Sequence, residues 1–347
     1  MPDSPTHGRT RPDLVTPGRA PNTDDVPFEP VSLPLPMTAS RHALPWGAGQ
    51  LSLLEAGDGP PLLLIHSVNA AASSYEVKPI FEAMRAHRRV FALDLPGFGL
   101  SSRGRDVYTV DRYVEAILLA ARTVQALCGG QRVAALALSL SGEVLARAAL
   151  QHPALFAGLV LVTPTGFETG ADKRRGDPPE TRETTRLEGV LDFPLWRSAL
   201  FGALVSRPSV RFFLKRTFGG KPDPDLVDYA WRSAHQPGAA FAAFAFASGK
   251  LFAPDIRDVY EALDLPVWLA HGTRGAFAAF GEARWTLTRR NWDLTSFETG
   301  AFPHFQAPAA FMPRLDRFLA GLSQAAPAVP RPSPPLLHVV SNAGDRP

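Results

Sequence analysis

Through the middle of the chain, apolar runs of five to seven residues are separated by longer stretches in which apolar positions recur every three or four residues. The runs Gln50 to Glu55, Pro61 to His66, Val90 to Asp94, Arg132 to Leu138, Gly158 to Thr163, Pro266 to His271 and Asp293 to Glu298 are too short for helices and are expected as strands. Five stretches carry helical spacing and are long enough to cross between parallel strands: Ser74 to His87, Val110 to Leu127, Gly142 to His152, Ala276 to Arg289 and Pro308 to Leu322. This alternation predicts an α/β protein with a mostly parallel central sheet flanked by helices.

The rhythm breaks between Gly166 and Leu265. That stretch is charged at first, from Glu168 to Glu188, and then aromatic, with ten of the chain's 22 phenylalanines. Pro194 to Leu204, Ser209 to Arg216 and Asp225 to Ala234 have helical spacing, so residues 166–265 are expected as an inserted helical cap over a core of residues 37–165 and 266–323. Residues 1–36, with nine prolines, and the proline-rich residues 324–347 bury too little apolar surface to offset their ordering entropy. They are expected as a disordered leader and tail.

Composition narrows the function classes. The chain is 45% hydrophobic and 20% charged, the balance of a globular protein. Its 36 basic and 33 acidic side chains are spread along the sequence, so no nucleic-acid-binding face is expected. A single cysteine, Cys128, excludes an internal disulfide framework and a cysteine-based metal cluster. Neither a metal nor an organic cofactor is implied. The longest apolar run, Ala239 to Ala247, is half a membrane span, and no apolar run before Val26 could serve as a secretory signal. No membrane span and a cytoplasmic location are expected, with the oligomeric state open.

The chemistry is concentrated at three turns. The strand Arg132 to Leu138 runs directly into Ser139, and the run Ala137-Leu138-Ser139-Leu140-Ser141 opens the next helix. A nucleophile lifted on so sharp a strand-to-helix turn needs small residues two positions to either side, which Ala137 and Ser141 supply. Ser141 is the rival, but it would put Glu143 at the crowded position. A serine in such a setting can also do no more than cap the helix that follows. The second turn is Asp94-Leu95-Pro96-Gly97-Phe98-Gly99-Leu100-Ser101, whose paired glycines might suggest a dinucleotide site. Position 102 is serine where a third glycine is needed, which argues against that. The third, Gly300-Ala301-Phe302-Pro303-His304-Phe305, follows the last apolar run and contains the one histidine of that region.

From Leu51 to Leu322 these segments, in this order, resemble the α/β-hydrolase superfamily, in the branch with a helical cap. Leu62-Leu63-Leu64-Ile65-His66-Ser67-Val68 is similar to the family's strand ending in His-Gly-x, with Ser67 in place of the glycine. The resemblance implies Ser139 as nucleophile and His304 as general base. It also implies the backbone N–H groups of Val68 and Leu140 as an oxyanion hole. His66 is read as a structural histidine that shapes its loop.

One part of the family's pattern is missing. Where a carboxylate is expected after the seventh strand, the chain reads His271-Gly272-Thr273-Arg274-Gly275-Ala276, and the end of the sixth strand is Thr163-Pro164. Glu168, five residues on, is the nearest candidate acid; without it a Ser–His dyad would operate at reduced rate. The resemblance thus implies a serine hydrolase acting on a small carboxylic ester or related acyl compound through an acyl-serine intermediate. Trp196, Phe241, Phe244 and Phe246 in the cap suggest an apolar acyl or ring-containing substrate. The alternative is a noncatalytic ligand- or partner-binding protein on the same scaffold.

Overall fold

The computed structural model describes residues 31–104, 108–167, 200–323 and 338–340, the last three by backbone alone. Nine strands form one sheet: β1 (Ser40–Trp46), β2 (Gly49–Ala56), β3 (Pro61–Ile65), β4 (Arg89–Asp94), β5 (Val133–Leu138), β6 (Phe156–Val162), β7 (Val267–Gly272), β8 (Trp292–Phe297) and β9 (His338–Val340). Their order is β8-β7-β6-β5-β3-β4-β2-β1-β9. The strands from β4 through β8 pair in parallel, while β2 joins β4, β1 joins β2, and β9 joins β1 antiparallel. The expected α/β-hydrolase fold is the one observed.

Alternation along each strand divides the core in two. In β5, Val133, Ala135 and Ala137 enter one apolar cluster and Ala134, Leu136 and Leu138 the other. β3 divides in the same way, with Leu63 and Ile65 on one side and Leu62 and Leu64 on the other. A strand buried on both faces reads as an unbroken apolar run, and this is why β3 and β5 were so visible in the sequence. Helices α2 (Val110–Leu127) and α3 (Ser141–Gln151) cover the first face, and α1 (Lys78–Met84) covers the second.

Between β6 and β7 lie α4 (Arg207–Phe218), α5 (Pro224–Ala234), α6 (Ala239–Ala247) and α7 (Ile256–Glu261). The short α8 (Pro303–Gln306) and the longer α9 (Pro308–Ser323) close the chain's return, the latter completing the second face. Cys128 is buried directly after α2, where burial pushes its thiol up to about 11.

Four features differ from the sequence expectation. Ala276 to Arg289 is not a crossover helix: only Gly281–Thr288 is helical, as a 3-10 segment. Its apolar residues line a cavity and stack on Phe167 instead of forming one buried stripe. β1 carries no clean alternation and was not anticipated. Residues 31–36 belong to the folded body, since the Val31 and Pro34 carbonyls accept bonds from Gln236 and Tyr229 at 2.6 and 2.7 Å. Residues 338–340 cover the outer edge of β1, which would otherwise present unpaired backbone groups.

Candidate active site

In an open parallel sheet, ligands bind beyond the carboxyl ends of the strands, at the point where the strand order reverses. Here the chain runs from β3 to β4 on one side and then returns to β5 on the other. The loops leaving β3 and β5 therefore diverge, and a cavity of about 340 Å³ lies beyond them. Ser67, Val68 and Asn69 after β3, Ser139 after β5, and Thr163, Pro164 and Thr165 after β6 line one part of it. The opposite part is formed by Leu214, Phe246, Phe252, Ala276, Phe277, Phe280, Ala301 and Phe302.

Ser139 has φ of 51°, one of two positive values outside glycine among the described residues, the other being Thr163 at 46°. A side-chain-bearing residue holds that conformation only when its surroundings impose it. The imposing bonds are Ser139 N–H to the Val162 carbonyl and Gly142 N–H to the Ser139 carbonyl, both 2.9 Å. A Cβ on Gly142 would lie 3.0 Å from Pro164, so the helix start packs tightly against the loop after β6. Ser141 is fully buried, and its hydroxyl donates to the His66 carbonyl at 2.5 Å. Of the two serines, only Ser139 reaches the cavity.

The loop after β3 is clamped from several directions. His66 accepts from Leu95 N–H through Nε2 at 3.0 Å, so its Nδ1 carries the proton and donates to the Ser67 carbonyl at 2.5 Å. The buried Glu76 carboxyl accepts from Ser67 N–H at 2.8 Å and from Asn69 Nδ2 at 3.1 Å. Burial raises the Glu76 carboxyl above its ordinary value, against the opposing pull of His66, Ser67 and Asn69. Neither Val68 N–H nor Leu140 N–H has an acceptor among the described residues.

The Gly97–Gly99 turn proves to be scaffold. A Cβ on Gly99 would sit 2.1 Å from a carboxylate oxygen of Asp94. That carboxylate accepts from Ser74 N–H and Leu100 N–H at 2.7 and 2.9 Å.

His304 is fully buried in α8 and is not among the residues that line the cavity. Its Nε2 lies 2.8 Å from the Glu76 carbonyl oxygen, which can only accept, so Nε2 carries the proton. The unprotonated Nδ1 is buried without a partner, and burial holds the ring down to about 4, in its neutral form. Neither ring nitrogen is bonded to Ser139. After β8 the cavity is met by Ala301 and Phe302, and Pro303 then begins the helix that carries His304 inward.

The stretch after β7, where the family's pattern expects the acid, presents Ala276, Phe277, Ala279 and Phe280 to the cavity. Glu168 lies outside the described residues, as does Trp196. Among the other aromatics singled out from sequence between residues 166 and 265, Phe246 lines the cavity and Phe244 packs on Phe201. Sequence reading missed Asn69, Glu76 and Glu143. The buried Glu143 receives the hydroxyl of the cavity residue Thr165. A carboxylate near the start of a helix resembles an ordinary solvated residue, and only burial distinguishes these two.

A parallel sheet with a serine on a strained strand-to-helix turn, at the sheet's topological switch point, defines an α/β-hydrolase-type protein. The chain belongs to the alpha/beta hydrolase fold family, whose model matches residues 60–236, just over half of its length. Two curated relatives match over short stretches. One is a 2-hydroxy-6-oxo-6-(2'-aminophenyl)hexa-2,4-dienoic acid hydrolase from Metapseudomonas resinovorans, 29% identical over 35% of this chain and 41% of its own. The other is a haloalkane dehalogenase from Agrobacterium fabrum, 35% identical over 22% of this chain and 26% of its own. The chain therefore spans less than half the length of either. Among solved structures, a serine hydrolase involved in carbazole degradation superposes with a TM-score of 0.63 at 19% identity, covering 82% of this chain and 99% of that one. No helix among the described residues is long and apolar enough to cross a membrane.

Proposed function

We propose that the protein is a hydrolase that cleaves a small carboxylic ester or related acyl compound through an acyl intermediate on Ser139. The observation that carries this reading is the left-handed backbone of Ser139 at the cavity wall, with the acceptor-free N–H groups of Val68 and Leu140 beside it. In this mechanism Ser139 Oγ attacks the carbonyl carbon and passes its proton to the unprotonated nitrogen of His304. The Val68 and Leu140 N–H groups hold the oxyanion, and the leaving alcohol takes the proton back. Water then hydrolyses the acyl-serine by the same route in reverse. The unprotonated nitrogen of His304 is Nδ1, which is buried and not bonded to Ser139 here, so turnover depends on movement of the short helix that brings Nδ1 to the Ser139 hydroxyl while Nε2 stays the donor.

The cavity wall favours an uncharged substrate with an aromatic or branched apolar group, because five phenylalanines and no ionisable side chain line it among the described residues. That same lack of an ionisable group favours a second reading, a protein that binds such a ligand without cleaving it. A fluorophosphonate probe separates the two. Wild type should be labelled and Ser139→Ala should not; folded wild type that stays unlabelled at neutral pH would leave only the binding reading.

A further inference from the structure

Glu76 sits in the 3-10 turn Ser74–Val77 between two loops that approach the cavity from different strands. Its carboxyl takes the Ser67 N–H at 2.8 Å and the Asn69 amide at 3.1 Å, and the Asn69 amide also donates to the Ser67 hydroxyl at 2.8 Å. Asn69 Oδ1 meanwhile accepts from Ala71 N–H at 2.7 Å, which orients the amide so that its NH2 faces Glu76 and Ser67. The backbone carbonyl of Glu76 takes the His304 ring from the other side. One residue thus holds the loop after β3 with its side chain and the segment after β8 with its main chain.

The arrangement bears on Val68. Both backbone groups of the residue before it are committed: the Ser67 carbonyl to His66 and the Ser67 N–H to Glu76. Rotation of the loop would break at least one of these bonds in a place where a buried, unmade bond is costly. Val68 is itself 2% exposed, and its N–H has no acceptor among the described residues. We propose that Glu76 is a positioning residue: through Ser67 and Asn69 its carboxyl holds the Val68 N–H toward the cavity, ready for the carbonyl oxygen of a bound ligand. This rests on the assignment of Val68 and Leu140 as the oxygen-binding donors made above, and adds what aims one of them.

The test uses two ligands of the same shape, acetophenone and α-methylstyrene, which differ in C=O against C=CH2. Neither can be hydrolysed, so binding is read without turnover. Two hydrogen bonds to the ketone oxygen should give wild type about a tenfold preference for acetophenone in titration calorimetry. Glu76→Gln places an NH2 group among donors, and should bring the preference close to unity while α-methylstyrene affinity changes by less than twofold. Asn69→Ala, which keeps the carboxyl and loses one of its partners, should lower the preference about threefold.

The proposal is overturned if wild type has no preference, if Glu76→Gln keeps it, or if both ligands weaken together. Should Glu76→Gln fail to fold, an unaltered preference in Asn69→Ala overturns it equally. Fluorophosphonate labelling in parallel keeps the two hypotheses apart. Labelling with no effect of Glu76 leaves the acyl-serine reading and removes this one, whereas a Glu76-dependent ketone preference without labelling does the reverse.

Discussion

The two walls of the cavity are built differently. On the β3 and β5 side key backbone groups are held by specific partners: Ser139 N–H by Val162, Ser67 N–H by Glu76, and the His66 carbonyl by Ser141. Among the polar groups left over are the Ser139 hydroxyl and the Val68 and Leu140 N–H groups, the kind a reacting carbonyl would need. On the β7 and β8 side the wall is Ala276, Phe277, Phe280, Ala301 and Phe302, which offer shape without proton chemistry. The histidine nearest that wall in sequence is turned into the core and tied to a carbonyl. Preorganising an electrophile's site and supplying a base are therefore separable tasks, and this molecule is far better equipped for the first.

The strongest way to break the contrast is to attack the scaffold behind the clamped wall, where the Asp94 carboxylate holds Ser74 in the turn that carries Glu76. Gly99→Ala should cost at least about 4 kcal/mol, because its Cβ would meet the Asp94 carboxylate and its φ of 49° disfavours a side chain. Urea unfolding measures this, and a loss under about 1 kcal/mol would mean that the turn can yield.

His304 is held to about 4 in the fold, against an ordinary value of 6.5. Below that ordinary value the unfolded chain binds a proton which the fold refuses. Stability from this ring is thus fully present above about pH 6.5 and is lost as pH falls toward 4, by roughly 3 kcal/mol. Unfolding of wild type and His304→Phe at pH 7 and pH 4.5 should reveal that loss in wild type alone. Equal slopes would place the ring in contact with solvent.

The other wall can be sharpened by giving it a base. In a His304→Phe background, Ala301→His puts an imidazole on the cavity lining in place of the lost base, and should raise p-nitrophenyl butyrate hydrolysis about a hundredfold, the usual scale of general-base assistance. In wild type, where His304 does this work, the same substitution should leave the rate unchanged or lower it, and a rise of about a hundredfold there would remove His304 from the mechanism. The smallest effect is expected at the rim: Phe277 is 51% exposed, so Phe277→Ala should weaken binding of acetophenone about tenfold with under 0.5 kcal/mol of stability lost. A larger stability loss would make that ring part of the core.

Much of this was legible without coordinates. Strands such as β3 and β5, apolar on both faces, cannot be mistaken for surface segments, and the Ala137–Ser141 run announces a crowded turn whatever lies around it. The fold class and Ser139's place on that turn followed from these local facts. His304 was a different matter. Which of the residues from Gly300 to His304 faces the cavity depends on where Pro303 begins a helix, and one turn of that helix carries a side chain from the cavity wall into the core.

Glu76 and Asn69 were hidden for a related reason. A glutamate or an asparagine in a loop has the same letters whether it is solvated or sealed, and its role arises only when a distant segment removes the water. Periodicity and steric crowding are properties of neighbours along the chain, so the sequence alone determined the strands from β2 to β8 and the strained serine, but not β1 or β9. Burial, and the pairing of each buried donor with an acceptor from another strand, are properties of the assembled chain. Only the tertiary structure could therefore decide which polar groups remain free to meet a ligand.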